Sequence, residues 1–285
     1  MRTKLLCLTC FVAVAAMAQR QEVNLTEWQY SQDGKNKKLV SVPYKGKGGT
    51  YLTRALVKNE YEYAELQFGK PLKGADIYIN GKKLGKGETS DKGYRVDASV
   101  IFQEVNIITK TPDGQKMLDG PRMVHEIQKE AVIKVETDEA LNCPVKLVCS
   151  GMVGYGTRID DWSVYARTVS ADADKAVIEI GAKALRTWGN DSLSFTVYSP
   201  ADKFVAYAVT NAKNDKVSTV QIEIPHPQLS TKNAAATYEV DIALFATAKN
   251  FSTGKPEAHS RDSYRLPFII KGTATKGKKK KGKKH

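Results

Sequence analysis

Short runs of alternating polar and apolar residues, each ended by a turn signal, make up the first half of the chain. Residues 61–68 (YEYAELQF) alternate in this way and are followed by the breaker Gly69-Lys70-Pro71. Residues 75–79 alternate again and lead into Asn80-Gly81, the strongest short hairpin signal in a sequence. Because side chains of a strand point alternately to two faces, these patterns predict strands rather than a sustained helix. The same pattern continues to about residue 150 in further segments: 94–97, 105–108, 131–135 and 145–148.

A second set of strand-like segments fills the other half of the chain. No long helical pattern separates these segments, which favours a β-sandwich over βαβ units. The glycine-containing stretch 150–157 (SGMVGYGT) favours irregular backbone and is the predicted domain junction. We therefore predict an all-β protein with one domain at 19–150 and another at 151–271. The strand-like segments of the second domain are 162–169, 175–180, 192–198, 204–210, 218–224 and 238–245.

The first 18 residues have the pattern of a secretory signal peptide. A short basic start precedes an apolar run from Leu5 to Met17, and Ala16-Met17-Ala18 has the small-x-small form of a cleavage site. The run is shorter than the roughly 20 residues of a membrane span, and no later stretch predicts one. We expect export to the periplasm or medium after cleavage near Ala18, with Cys7 and Cys10 as ordinary signal-peptide residues.

Most of the net positive charge of the chain lies at its C-terminal end. The formal net charge is +13. Eight positive charges lie on lysines from Lys271 onward, and Arg2 and Lys4 leave with the signal peptide. The folded body therefore carries a net charge of +3. Residues 272–285 have no apolar core and are predicted to be a disordered, lysine-rich tail. The tail either binds an anionic polymer or is a solvated extension, and both interpretations stay open. Its candidate contact residues are Lys278, Lys279, Lys280, Lys281, Lys283 and Lys284.

Two cysteines remain after export. Cys143 and Cys149 would lie in an oxidising compartment, where a disulfide is chemically allowed. If residues 143–149 form one extended strand, the two Cα atoms are too far apart, so a bridge requires a bend near Pro144. The spacing lacks the further cysteines or histidines of a zinc site, and we predict no metal and no cofactor.

Several motifs resemble the N-terminal part of family 2 glycoside hydrolases. Residues 76–85 (DIYINGKKLG), 94–97 (YRVD) and 104–108 (EVNII) are similar to the sugar-binding jelly roll that opens those enzymes. Residues 222–230 (IEIPHPQLS), followed by 238–240 (YEV), resemble the end of that family's immunoglobulin-like domain, although the usual tryptophan after the leucine is absent. The resemblance implies a jelly-roll β-sandwich followed by an immunoglobulin-like β-sandwich.

In that family the next element is a (β/α)₈ barrel of about 250 residues that carries two catalytic glutamates. Here residues 262–270 resemble the strand that closes the immunoglobulin-like domain, and only the lysine tail follows. Asn59-Glu60 superficially resembles the family's acid/base pair, but a solvated turn explains it better. We therefore expect no catalytic dyad in this chain.

Candidate carbohydrate-binding residues are aromatic or amide side chains: Asn80, Trp162, Trp188 and Asn190. Aromatic faces stack on sugar rings and amides bond the hydroxyls. Each residue also has a structural interpretation: Asn80 in a type I′ turn, Trp162 in interdomain packing, and Trp188 with Asn190 in a turn.

The leading hypothesis is an exported, non-catalytic protein that recognises a glycan or a cell-envelope protein. One alternative is a truncated or multi-chain glycoside hydrolase component. Another is a structural protein tethered to the envelope by its lysine tail. Net charge and motifs do not separate these three.

Overall fold

A computed structural model describes residues 20–58, 61–72, 74–102, 108–110, 116–118, 128–152, 156–231, 234–249 and 252–272. The predicted signal peptide and the lysines from 276 onward lie outside the described residues. So do Asn59-Glu60 and most of the strand predicted at 105–108.

The first half folds into strands joined by short turns. One short 3₁₀-helix, Ser99–Ile101, is the only helical element among the described residues. The strands are β1 (Gln21–Asn24), β2 (Glu27–Ser31), β3 (Lys38–Ser41), β4 (Gly49–Lys58), β5 (Tyr61–Phe68), β6 (Asp76–Ile79), β7 (Lys82–Lys83), β8 (Glu88–Ser90), β9 (Gly93–Asp97), β10 (Ile108–Lys110), β11 (Lys116–Leu118), β12 (Gln128–Thr137) and β13 (Val145–Met152).

These strands form two antiparallel sheets and a separate β10–β11 hairpin. One sheet has the order β1-β13-β5-β9-β8 and the other β3-β2-β4-β12-β6-β7. Side chains of β2, β5, β12 and β13 point between the two sheets, where Trp28, Leu66, Ile133 and Leu147 are fully buried. The inward face therefore explains the period-2 pattern of the sequence.

The hairpin predicted at Asn80-Gly81 joins β6 to β7. Both residues have positive φ, 50° and 82°, as a type I′ turn requires. The Asn80 side chain is used locally, because its Oδ1 accepts a hydrogen bond of 2.8 Å from the backbone N–H of Val132. This contact ties the turn to β12 and supports the structural interpretation of Asn80.

The second half is a smaller sandwich of a three-stranded and a four-stranded antiparallel sheet. Their orders are β14-β15-β18 and β17-β16-β19-β20. Its core includes Ile178, Phe195, Val197 and Ile242, all fully buried. The strands are β14 (Arg158–Ala171), β15 (Lys175–Leu185), β16 (Ser192–Tyr198), β17 (Phe204–Asn211), β18 (Val217–Pro225), β19 (Thr237–Lys249) and β20 (Pro256–Ile269).

Each sandwich has its own buried core. One cluster of buried apolar residues contains residues between 25 and 149, and the other contains residues between 159 and 270. Strand β13 ends at Met152 and β14 begins at Arg158, so the chain passes from one sandwich to the other within the glycine-containing stretch.

The disulfide left open by the sequence is not formed. Cys143 and Cys149 are both buried free thiols. Cys149 lies within β13, whereas Cys143 lies at a bend two residues before the strand begins.

Candidate functional site

A cluster of buried charges lies where the two sandwiches meet. Strand β14 supplies Asp160 and Asp161, which are only 5% and 6% exposed. The first sandwich supplies Glu65 from β5, 4% exposed, and Arg95 from β9. The pairing of β14 with β15 shifts register between Asp160 and Tyr165, so the start of β14 departs from a regular strand at this point.

Arg95 links the two sandwiches through several contacts. Its Nη1 donates to Asp160 Oδ1 at 2.6 Å and lies 3.5 Å from Glu65 Oε2. Its Nε and Nη2 donate to Glu88 Oε2 at 2.9 and 2.7 Å. The guanidinium carbon lies 4.7 Å from the ring centroid of Trp162, a cation–π contact. Arg95 therefore binds carboxylates of both sandwiches with one side chain.

The pKa values of the two carboxyl groups beside Arg95, Glu65 and Asp160, are shifted in opposite directions. Burial raises the pKa of Glu65, the negative charge of Asp161 adds to this, and Arg95 opposes it only in part. Burial also acts to raise the pKa of Asp160, but the hydrogen bonds and charges of Arg95 and Lys183 outweigh it and hold that pKa below its usual value. Asp160 is thus held as a carboxylate, whereas Glu65 is held less firmly in its charged form.

The beginning of the described chain is anchored in the second sandwich. Arg20 donates to the carbonyl of Ile159 at 2.6 Å and to Asp262 Oδ2 at 2.9 Å, and its Nη1 lies 3.5 Å from Asp161 Oδ2. The same Asp262 oxygen accepts the backbone N–H of Ile159 at 2.7 Å. Gln67 of β5 donates to Asp161 at 2.8 Å. These contacts join the start of the described chain to β14 and β20, and they join β5 to β14.

A cleft opens beside this cluster and consists of two adjoining cavities. One has a volume of about 290 Å³ and the other of about 610 Å³. Tyr63, Asp97 and Arg158 line both, so the cavities share a wall at the junction. Their sizes lie in the range of small-ligand sites, which occur preferentially between domains.

The shared wall of the cleft is built around Arg158. Its guanidinium carbon lies 3.5 Å from the ring centroid of Tyr63, and its Nη1 donates to the carbonyl of Gly156 at 3.3 Å. Gly156 has φ +60°, and a Cβ there would lie 2.9 Å from Arg186 Nη1. The left-handed φ favours glycine here, and another residue would also displace the flexible end of the Arg186 side chain.

The larger cavity carries cationic groups without a described carboxylate partner. Lys129, Arg158 and Arg186 line it, and none of the three forms a salt bridge with a described residue. The same lining includes the carboxylates of Glu62 and Asp97 and the rings of Tyr61, Tyr63 and the half-buried Phe102. The cavity thus offers hydrogen-bond donors, acceptors and apolar ring surface to a ligand.

The candidate residues chosen from the sequence do not come together at one site in the structure. Trp162 is half-buried at the junction under Arg95, whereas Asn80 lies in the β6–β7 turn and does not line the cleft. Trp188 is 72% exposed in the β15–β16 turn, where its backbone N–H donates to Asp191 Oδ2 at 2.9 Å, and Asn190 is exposed beside it. The candidate lysines of the tail lie outside the described residues.

Sequence reasoning missed the charged junction residues. Glu65 lies inside an alternating strand and looks like an ordinary outward-facing position. A local signal existed in Asp160-Asp161, because two carboxylates at the start of a strand are unusual unless they have partners. The partners come from distant positions, such as Arg95 and Arg20, and no local pattern marks them.

No family model matches the sequence, and no curated protein matches it either. Solved structures do match. A glycosyl hydrolase family 2 member from Bacteroides cellulosilyticus is similar with a TM-score of 0.59 and 13% identity, covering 88% of this chain and 35% of that one. A β-glucuronidase from Bacteroides uniformis has a TM-score of 0.53 and 15% identity, covering 88% and 32%. The β-glucuronidase of Bifidobacterium dentium complexed with coumarin-3-O-glucuronide has a TM-score of 0.56 and 13% identity, covering 88% and 48%.

These likenesses define the class of the fold. The chain is an all-β protein of two sandwiches, and its fold is that of the N-terminal portion of family 2 glycoside hydrolases. The resemblance read from the sequence motifs is thereby confirmed at the level of the fold. The chain spans less than half the length of each of these solved chains.

Two further findings concern the described residues. No helix among them has the length and hydropathy of a membrane span. No group of three or more histidine, cysteine, aspartate or glutamate side chains is placed there to hold a metal ion.

Proposed function

We propose that this chain is an exported, non-catalytic accessory protein that binds carbohydrate in the cleft between its two sandwiches. The observation that carries the proposal is the lining of the larger cavity. There Lys129, Arg158 and Arg186 present hydrogen-bond donors, and the carboxylates of Glu62 and Asp97 in the same lining present acceptors. Sugars offer many acceptor oxygens and an apolar ring face, which such donors and the ring of Phe102 complement. The signal-peptide pattern of residues 1–18 supports export.

The fold likeness supports the same proposal without proving it. The similar solved chains are glycoside hydrolases, which act on carbohydrates, but a shared fold does not transfer an activity. For this reason the proposal depends on the cleft and not on the likeness.

A glycan array followed by calorimetry tests this function. The purified protein is expected to bind at least one neutral or uronate-containing glycan. Arg158→Ala and Arg186→Ala should each weaken that binding about tenfold or more, because each removes charged hydrogen-bond donors. Arg167→Ala is the matched control, since Arg167 is 67% exposed on β14, pairs with Glu179, and does not line the cleft. An array without binding, or equal affinities for all three variants, would contradict the proposal.

A second function is favoured by one observation, the opposite pKa shifts of Glu65 and Asp160. Paired carboxyl groups with pKa values driven apart are typical of a general acid and its partner. In that case the chain would be part of a multi-chain glycosidase. However, Arg95 Nη1 lies between the two groups, so neither carboxylate is free to hold a water molecule or attack a sugar.

The activity assay for the second function is simple. Hydrolysis of nitrophenyl β-glycosides by the purified protein, abolished by Glu65→Gln, would replace the binding proposal with the enzymatic one. We expect no release of nitrophenol above a buffer blank.

A further inference from the structure

Strand β17 differs from the other edge strands of the protein. Its eight residues, FVAYAVTN, include neither a charged residue nor a proline, and none of them is buried. It lies at the end of its sheet, in the order β17-β16-β19-β20. Among the described strands at a sheet edge, all the others carry at least one charged residue: β1, β3, β7, β8, β10, β11, β14, β18 and β20.

An unprotected edge strand is a template for pairing with another chain. Its outer backbone N–H and C=O groups have no ladder partner, and native proteins normally guard such edges with charges, proline, short length or a β-bulge. The one register shift of β17 lies at its start, between Phe204 and Ala206, so residues 206–211 keep a regular edge. A long apolar edge without these features is expected to aggregate unless something covers it. The sequence of β17 therefore indicates that this edge is covered in the assembled protein.

The outer face of β17 is apolar as well. Phe204, Tyr207 and Val209 are 64%, 57% and 51% exposed. They stand opposite Tyr198, Thr196 and Ser194 of β16 in the antiparallel register. The exposed apolar surface thus runs along the same strand as the unpaired edge.

We infer that β17 pairs antiparallel with β17 of a second copy of this chain, which joins the two four-stranded sheets into one continuous sheet. Because the strand carries no charge, a two-fold axis brings no like charges face to face along it. An uncharged strand also lacks the charged groups that would give it specificity for a charged partner of another sequence.

The residues that flank β17 complement each other across such an axis. Asp202 and Lys203 precede the strand and Lys213 follows it; all three are exposed, and none forms a salt bridge with a described residue. Antiparallel pairing with Tyr207 opposite Ala208 brings Asp202 of one copy close to Lys213 of the other at both ends of the joined strands, and it places Lys203 opposite the uncharged Ala212. A parallel arrangement would bring like charges together instead, so the charges favour the antiparallel one.

Sedimentation equilibrium of the purified protein tests the inference. We expect a reversible dimer of twice the chain mass. Tyr207→Lys and Val209→Lys should each shift the protein to monomer over the same concentrations, because a lysine in the strand guards the edge. Val169→Lys on the edge strand β14 is the matched control, since Val169 is also exposed (48%), and it should leave the dimer intact.

Orientation is tested separately with Lys213→Glu, which would place like charges at both ends of the antiparallel pair. The dissociation constant should rise about fivefold, the equivalent of roughly 1 kcal/mol for an exposed pair. Circular dichroism and thermal unfolding of each variant show that it is folded.

Several outcomes would overturn the inference. These are a monomeric wild-type protein at all concentrations, a dimer that survives Tyr207→Lys, or a dimer lost equally in Val169→Lys. A monomer whose β17 instead binds a glycan or an extended peptide would likewise overturn it. The glycan array of the cleft variants is independent, because Tyr207 and Val209 do not line the cleft.

Discussion

Replacement of Arg95 by methionine should destabilise the protein strongly at neutral pH. Methionine keeps an unbranched stem against Trp162 but removes the charge that Glu65 and Asp160 share. Breaking a buried ion pair by removing one partner typically costs about 3–5 kcal/mol, since the other charge is left buried. Lys183 Nζ remains 3.1 Å from Asp160 Oδ2, so that carboxylate keeps one partner. We therefore expect the lower end, about 3 kcal/mol.

The loss should depend on pH because Glu65 can take up a proton. Its pKa is already raised by burial, and loss of Arg95 removes the cation that opposes this. In the unfolded chain the pKa of a glutamate is about 4.3. Above this pH the native variant binds a proton at Glu65 that the unfolded chain does not bind, so the free energy of unfolding rises as pH falls. The variant should recover part of its stability between about pH 7 and pH 5.

Urea denaturation followed by tryptophan fluorescence measures this loss. A loss of about 3 kcal/mol lowers the midpoint by roughly 1 M urea or more. Arg54→Met is the control, because Arg54 and Glu130 form an exposed pair, with side chains 66% and 47% exposed, worth about 0.5 kcal/mol. The reasoning is refuted if the two variants lose similar stability, or if the loss in Arg95→Met is the same at pH 5 and pH 7.

Three more predictions follow from single residues. The urea midpoint of wild type should fall as pH rises through the raised pKa of Glu65. Glu65→Gln removes the titrating group, so its midpoint should fall less over the same pH range. An equal fall in both proteins would contradict this prediction. Burial raises the pKa of Cys149 to about 12, so Ellman's reagent should leave this thiol unmodified in native protein at pH 8 and modify it in urea. Gly93→Ala should lower the free energy of unfolding by about 3 kcal/mol or more, because φ is +128° and a Cβ would lie 2.0 Å from the Phe68 carbonyl oxygen. Gly189→Ala is the control. Its φ is +92° but the space around it is open, so the loss in the same urea titration should be about 1 kcal/mol.

Much of the fold was predictable because its signals are local. Alternation along residues 61–68 reports which side chains share a face, and that is a property of one strand alone. The turn at Asn80-Gly81 was predictable for the same reason, since positive φ is a preference of the two residues themselves. The resemblance of two motifs to a known family then indicated the order of the two sandwiches.

The candidate site was not predictable, because its residues come together only through pairing and packing. Gln67 and Asp161 are 94 positions apart in the chain, and Arg20 and Asp262 are 242 apart. A period-2 pattern places Glu65 on a face of β5, but it does not say that β14 of the second sandwich will cover that face.

The sequence by itself determined the β structure and the turn at Asn80-Gly81, whereas export and the lysine-rich tail stay predictions from the sequence. Each of these depends on neighbouring residues and on the preferences of the backbone. Tertiary structure alone decided that Trp162 lies under Arg95, that Cys143 and Cys149 stay apart, and that β17 lies at a sheet edge. Those outcomes depend on which distant strands become neighbours, and long-range contacts set that choice.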